Sequence, residues 1–277
     1  MVKIDTVGNG LKLKFIVALI LFCITVFLLS LDEYRPYRIN YKEASKEMFI
    51  PQFRSLNSID KVVNYTDSLY GSLNLTEFDT SRYVRIVSGT VKRRFYHGIS
   101  NYSLSENWIV YLLGKVCWSH ISAIVNPDDI LKHPEGLCSQ QNIVFMEVLK
   151  RKNITTRAVG LGTSEGPGHF LSEVLYDNKW HLYDVDVEPN WNATTFNHES
   201  LEILLANKEE LYKIYKGRLT TVTIDKIVKE IKYGTPNNFP ATKMLIFQQV
   251  AKAFTYILPA FFLLMFLWYY KKYKASL

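Results

Sequence analysis

Residues 135–152 read EGLCSQQNIVFMEVLKRK, and residues 168–184 read GHFLSEVLYDNKWHLYD. These two runs decide the fold. From Cys138 to about Lys152 the pattern predicts a helix, with Phe145, Val148 and Leu149 on one face and Arg151 and Lys152 near its C-terminus. Three strand-like runs follow, at Thr156–Leu161, His169–Tyr176 and Lys179–Val187. Asp177-Asn178, between the last two, predicts a tight hairpin turn. Counting outward from that turn, Asp184 faces roughly Leu171, within two residues of His169. Diagonal neighbours in a pleated pair lie ~7–8 Å apart, within side-chain reach.

The order is therefore a cysteine at a helix start, a histidine opening a strand, and an aspartate ending the paired strand. Cys138 and His169 are 31 residues apart, and His169 and Asp184 are 15 apart. A thiol at a helix N-terminus faces unpaired N–H groups and the positive end of the dipole, which stabilises a thiolate. Gly136, two residues earlier, is expected to allow a sharp entry and an open approach for a substrate carbonyl. Nucleophile, imidazole base and carboxylate orienter converge in such an arrangement.

Here the sequence resembles the transglutaminase-like superfamily, whose core is papain-like. The residues carrying the resemblance are Gly136-Leu137-Cys138-Ser139, Phe145 through Leu149, Arg157-Ala158-Val159, Gly168-His169, Glu173-Val174, Trp180 and Asp184. They fall within Asn107 to Trp191, most sharply from Glu135 onward. The resemblance implies Cys138 as nucleophile, His169 as base and Asp184 as orienter. It implies an α+β fold, with the cysteine-bearing helix packed on an antiparallel sheet. One departure is Leu171, where the family often has an aromatic two residues after the histidine. Family members include amide transferases, peptidases and inactive copies. The implied substrate is a peptide or protein amide.

Working outward, Asn107–Ile124 is apolar enough for a buried helix, and Asn126-Pro127-Asp128-Asp129 breaks it. Leu201–Tyr215 and Ile224–Tyr233 have helical patterns, and 234–238 (GTPNN) is a linker. Residues 32–100 give no chemistry of their own. The expected organisation is a core at 105–200, with extensions at 32–104 and 201–252.

Beyond these lie two uncharged apolar runs, Phe15–Leu31 and Ala253–Tyr270. Each is close to the ~20 residues a helix needs to cross ~30 Å of hydrocarbon. Lys12 and Lys14 precede the first run, and Lys271, Lys272 and Lys274 follow the second. The positive-inside rule then places 1–14 and 271–277 in the cytoplasm and 32–252 outside it, at a plasma or inner membrane. Asp32 and Glu33 follow the first run with no small-residue cleavage site, so an uncleaved anchor is expected.

The chain has 277 residues, 48% of them hydrophobic and 21% charged, which excludes wholesale disorder. The net charge of +7 suggests nucleic acid at first sight. However, the first 14 residues carry +2 and the last seven +3, which leaves +2 for everything between. No nucleic-acid partner is expected. Three cysteines are too few for a disulfide scaffold, although a Cys117–Cys138 bridge is open to an oxidising compartment. Cys117 and Cys23, in apolar runs, read as buried hydrophobes.

Asp186 rivals Asp184, since it shares the same face two residues on, while His181 points away by strand alternation. His97, His120 and His198 read as surface or satisfied core groups, and Trp180 and Arg157 as structural. His133 and His169 have no metal-ligand spacing, so neither metal nor cofactor is expected. Calcium dependence is not expected either, because no acidic loop of the EF-hand type is present. Two functions remain: an envelope-facing cysteine acyltransferase or amidase, and a non-catalytic membrane module that uses the same fold to bind a partner.

Overall fold

The computed structural model describes residues 2–31, 38–163, 166–193 and 197–276. The reading of an uncleaved anchor at Asp32-Glu33 lies outside them. In chain order the helices and strands are α1 (Val2–Ser30), α2 (Tyr41–Ala44), α3 (Ile59–Gly71), α4 (Thr80–Arg94), β1 (Tyr96–His97), α5 (Leu104–Val116), α6 (Pro127–Ile130) and β2 (Glu135–Gly136). Then come α7 (Cys138–Lys150), β3 (Thr156–Thr163), β4 (Gly166–Tyr176), β5 (Lys179–Tyr183), α8 (Leu201–Ala206), α9 (Lys208–Ile214), α10 (Thr221–Ile227), β6 (Glu230–Tyr233) and α11 (Thr242–Lys274). They form two compact units. One comprises Tyr37–Ser100 and Ile124–Thr242, and the other Met1–Pro36, Asn101–Ala123 and Lys243–Leu277.

The first unit is built on an antiparallel sheet of order β5-β4-β3-β6. The β4–β5 hairpin turns at Asp177 and Asn178, both at positive φ (51° and 59°), as a primed two-residue turn requires. Register follows from it: Tyr176 pairs with Lys179 and Ser172 with Tyr183. One face of the sheet packs on α7, where Phe145 meets Tyr183 at 5.6 Å and Asn142 accepts a hydrogen bond from Ser172. The opposite face presents Val159, Leu161, Leu171 and Leu182 to Leu204, Leu211, Ile214 and Ile224 of α8–α10.

Three sequence expectations are corrected here. The run 224–233 is not one helix: α10 ends at Ile227 and β6 pairs with β3, Ile231 against Leu161. Long-range pairing outweighs a weak local helical pattern. The run 201–215 is two short helices, broken at Asn207. The run 107–124 is not a single buried helix either. Helix α5 stops at Val116, and Cys117 at its end is exposed rather than buried.

Arg94, 1% exposed, clamps the chain ahead of α7. Its guanidinium donates to the carbonyls of Leu56 (3.1 Å), His133 (3.0 Å) and Leu131. Arg157 lies between the rings of Trp180 (4.2 Å) and Tyr233 (4.4 Å) and pairs with buried Glu173 at 2.5 Å. Arg157 and Trp180 thus hold the sheet together and stay out of the site.

In the second unit, α1 and α11 are long and apolar enough to cross a membrane. Phe15 packs on Phe266 (6.2 Å), Tyr270 (5.7 Å) and Tyr273 (5.2 Å), and Lys14 lies over Tyr269. Lys12 and Lys14 of α1 therefore stand at the same end as Lys271, Lys272 and Lys274 of α11. Pro259 lies inside α11 and has no N–H for the carbonyl of Thr255. The Trp108 indole N–H reaches that carbonyl at 3.3 Å.

Candidate active site

Cys138, the first residue of α7, is half-buried; Cys117 is exposed, as is Cys23, which was expected to be buried, and all three are free, so no Cys117–Cys138 bridge is present. Gln140 fixes this helix start. Its Oε1 accepts from the N–H groups of Leu137 (3.1 Å) and Ser100 (3.0 Å), and its Nε2 donates to the carbonyls of Ser100 and Ile124 (both 2.8 Å). Gly136 serves packing rather than an open approach. A Cβ there would stand 3.1 Å from Gln141 and 3.3 Å from Phe95.

His169 enters on β4 immediately after Gly168, where a Cβ would stand 2.3 Å from the Leu161 carbonyl oxygen. Only glycine lets β4 cross β3 so closely at that point. The imidazole Nε2 lies 2.6 Å from Asp184 Oδ2, and a ring nitrogen of His169 lies within 4.8 Å of Cys138 Sγ. With Nε2 held, Nδ1 is the nitrogen left for proton exchange with sulfur. Burial opposes a charge on this ring. The Asp184 carboxylate and the Cys138 contact outweigh it and hold the His169 pKa well above the usual histidine value.

Asp184 follows the end of β5 and has no side-chain exposure. Its Oδ1 accepts from the backbone N–H groups of Asp186 (3.3 Å) and Val187 (3.1 Å), and its Oδ2 also accepts from the Tyr215 hydroxyl at 2.9 Å. Burial alone would raise its pKa. His169, the Val187 N–H and Tyr215 together hold it below the usual carboxylate value. Burial and the adjacent Asp184 push the Tyr215 phenol well above its ordinary value. Sequence reading missed Tyr215, because nothing local ties a tyrosine at the end of α9 to an aspartate 31 residues earlier.

Asp186 is not on the strand face it was expected to share with Asp184. The strand stops at Tyr183 and the chain turns, with the Glu188 N–H bonded to the Asp184 carbonyl at 2.9 Å. The turned Asp186 meets Gln141 Nε2 at 2.7 Å and His97 Nδ1 at 3.1 Å. That hydrogen bond raises the His97 pKa against the opposing effect of its partial burial. Lys92, almost fully buried, donates to the Asp186 carbonyl and to Glu47 at 3.0 Å. Residues 32–100, expected to be without chemistry, thus supply Glu47, Lys92 and His97 to the rim of the site. A cleft of about 500 Å³ opens there, bordered by Glu47, Lys92, His97, Asp186 and Arg218.

His181 does not join this group. It stacks on Tyr176 at 3.7 Å and bonds the carbonyl oxygens of His198 and Tyr176. Donor atoms of Cys138, His169 and Asp186 lie within 4.8 Å of one another, a set whose chemistry suits zinc. Sequence spacing could not show this, because the three come from a helix, a strand and a turn.

No protein-family model matches the chain, and no curated protein matches it. A solved structure described as "Crystal structure of a TGase" is similar at 14% sequence identity and a TM-score of 0.31. The match covers 56% of this chain and 35% of that one, so it spans about a third of that structure's length. The functional reading rests on the residues of the site.

Proposed function

We propose that this chain is a membrane-anchored, transglutaminase-like cysteine enzyme that acts on amide bonds of peptides or proteins at the cell envelope. The observation that carries the reading is that His169 reaches both partners: its Nε2 is 2.6 Å from Asp184 Oδ2, and a ring nitrogen lies within 4.8 Å of Cys138 Sγ. In the proposed reaction Cys138 Sγ attacks the amide carbonyl, and the Cys138 backbone N–H at the start of α7 donates to the developing oxyanion. His169 Nδ1 gives its proton to the leaving amine, and a thioester remains on sulfur. Water or an acceptor amine then attacks the thioester, His169 takes its proton, and the Cys138 thiolate leaves.

Asp184, held by Tyr215 and two backbone N–H groups, keeps Nε2 as the donating nitrogen and stabilises the imidazolium. The lysines at one end of α1 and α11 support both termini in the cytoplasm and the enzyme unit outside it. An activity-based thiol probe on isolated membranes tests the reading. The wild-type chain should be labelled and Cys138→Ala should not. Labelling that survives Cys138→Ala would reject Cys138 as the nucleophile.

A further inference from the structure

The segment Asn101–Ala123 folds with the two long apolar helices and is fastened to α11 by side chains. Asn107 Nδ2 donates to the Gln248 carbonyl at 3.1 Å, and the Thr255 hydroxyl donates to Asn107 Oδ1 at 3.2 Å. Gln248 Nε2 in turn donates to the carbonyls of Ile121 (3.1 Å) and Ala123 (2.7 Å). The Trp108 bond to the Thr255 carbonyl completes the fastening.

Depth along α11 follows from its rise. Lys252 and Lys271 are separated by ~28 Å at ~1.5 Å per residue, close to one ~30 Å hydrocarbon layer. Thr255 lies one turn inside Lys252, so the Trp108 indole sits at the edge of that layer farther from Lys271, where interfacial tryptophans belong. Trp108, Leu112 and Val116 are four residues apart, a single stripe along α5. Beyond Trp108 the stripe is uncovered: Leu112 is 39% exposed, Val116 82%, and Trp118 just past the helix 57%. Lys115, over the Tyr111 ring at 5.4 Å, supplies a charge beside it.

We infer that Asn101–Ala123 is a third membrane element, a surface-lying helix and turn whose Leu112, Val116 and Trp118 rest in the headgroup–acyl boundary of the leaflet farther from the lysine-rich ends. The occupant of this apolar face is phospholipid, because the stripe continues from a bond made at membrane depth. The inference rests on α1 and α11 spanning the bilayer. Such a helix fixes the height of the chain at the membrane surface, which two spanning helices alone do not.

The test uses full-length protein reconstituted into phosphatidylcholine–phosphatidylglycerol vesicles. Cys117, at the end of α5, takes an environment-sensitive NBD fluorophore in a Cys23→Ala, Cys138→Ala background. Leu264→Cys in a chain that also carries Cys117→Ala reports on the span. The Cys117 label should emit to the blue of free NBD-cysteine and resist iodide by about three-fold or more. It should be quenched more by shallow than by deep doxyl lipids, and the Leu264 reporter more by deep ones. A Cys117 label that iodide quenches freely and no doxyl lipid reaches, beside a lipid-quenched Leu264 reporter, overturns the inference and leaves the spans standing. If the Leu264 reporter also escapes lipid, the spanning reading falls and the inference with it. Should the cysteine-replaced chain fail to fold, quenching of the native chain by brominated lipid, lessened by Trp118→Phe, gives the same reading. No loss on Trp118→Phe overturns it.

Discussion

Asp184 Oδ2 lies 2.6 Å from His169 Nε2, and the same oxygen accepts the Tyr215 hydroxyl at 2.9 Å. The carboxylate is thus held on one side by a helix of the opposite sheet face and on the other by the imidazole it orients. Asp184→Asn keeps size and removes charge, and its amide can present a donor where an acceptor is needed. A serine triad loses ~10⁴ in kcat on such a change, but papain-like proteases work with Asn in this place. The expected loss of turnover is on the order of 10- to 1,000-fold, with membrane insertion unchanged. Asp186→Asn should cost much less, since Asp186, although within 4.8 Å of a His169 nitrogen, hydrogen-bonds Gln141 and His97 while Asp184 holds the imidazole. A turnover assay in which Asp186→Asn is the more damaging change would show that the orienter is misassigned.

His198 predicts a pH dependence of stability. It is 8% exposed, donates from Nδ1 to the Leu182 carbonyl at 2.9 Å, and lies against the rings of Tyr183 and Trp191. Burial pushes its pKa down to about 4. The unfolded chain therefore binds a proton that the folded chain refuses between its ordinary value near 6.5 and about 4. Stability from this residue is complete above that window and falls as pH drops through it, by on the order of 3 kcal/mol. Melting temperatures measured from pH 7 to 4 should decline less steeply in His198→Gln. An unchanged slope would show that His198 is not kept neutral by the fold.

Trp108 and Pro259 should be coupled although they do not share a bond. Trp108→Phe takes the indole donor from the Thr255 carbonyl, at a cost of about 1 kcal/mol. Pro259→Ala restores an intrahelical N–H for that carbonyl, so Trp108→Phe should then cost less. A double-mutant cycle in detergent-solubilised protein should give a coupling of about 0.5–1.5 kcal/mol. A coupling near zero would mean that the indole N–H does not serve the carbonyl that proline frees.

The parts legible in the sequence were those written in local chemistry. Asp177-Asn178 marks a turn because only a few residue types tolerate two successive positive φ angles, and that turn sets the register placing Asp184 near His169. Cys138 at a helix start was legible from the apolar spacing behind it. The rest depends on contacts far apart in sequence. β6 becomes a strand because β3 offers an edge, Tyr215 reaches Asp184 across a core boundary, and Asp186 leaves its expected face because the strand ends one residue before Asp184. The run after Asn107 reads as core because its apolar pattern is the same whether the side chains end buried or, like Leu112 and Val116, exposed.

The most direct test of the account is the alkylation rate of Cys138 by iodoacetamide at mildly acidic pH, read by peptide mass spectrometry in wild type and His169→Ala. The account predicts that Cys138 reacts first and that His169→Ala slows it by about ten-fold or more while leaving Cys117 unchanged. A Cys138 rate indifferent to His169→Ala would contradict the central claim that this imidazole activates this thiol.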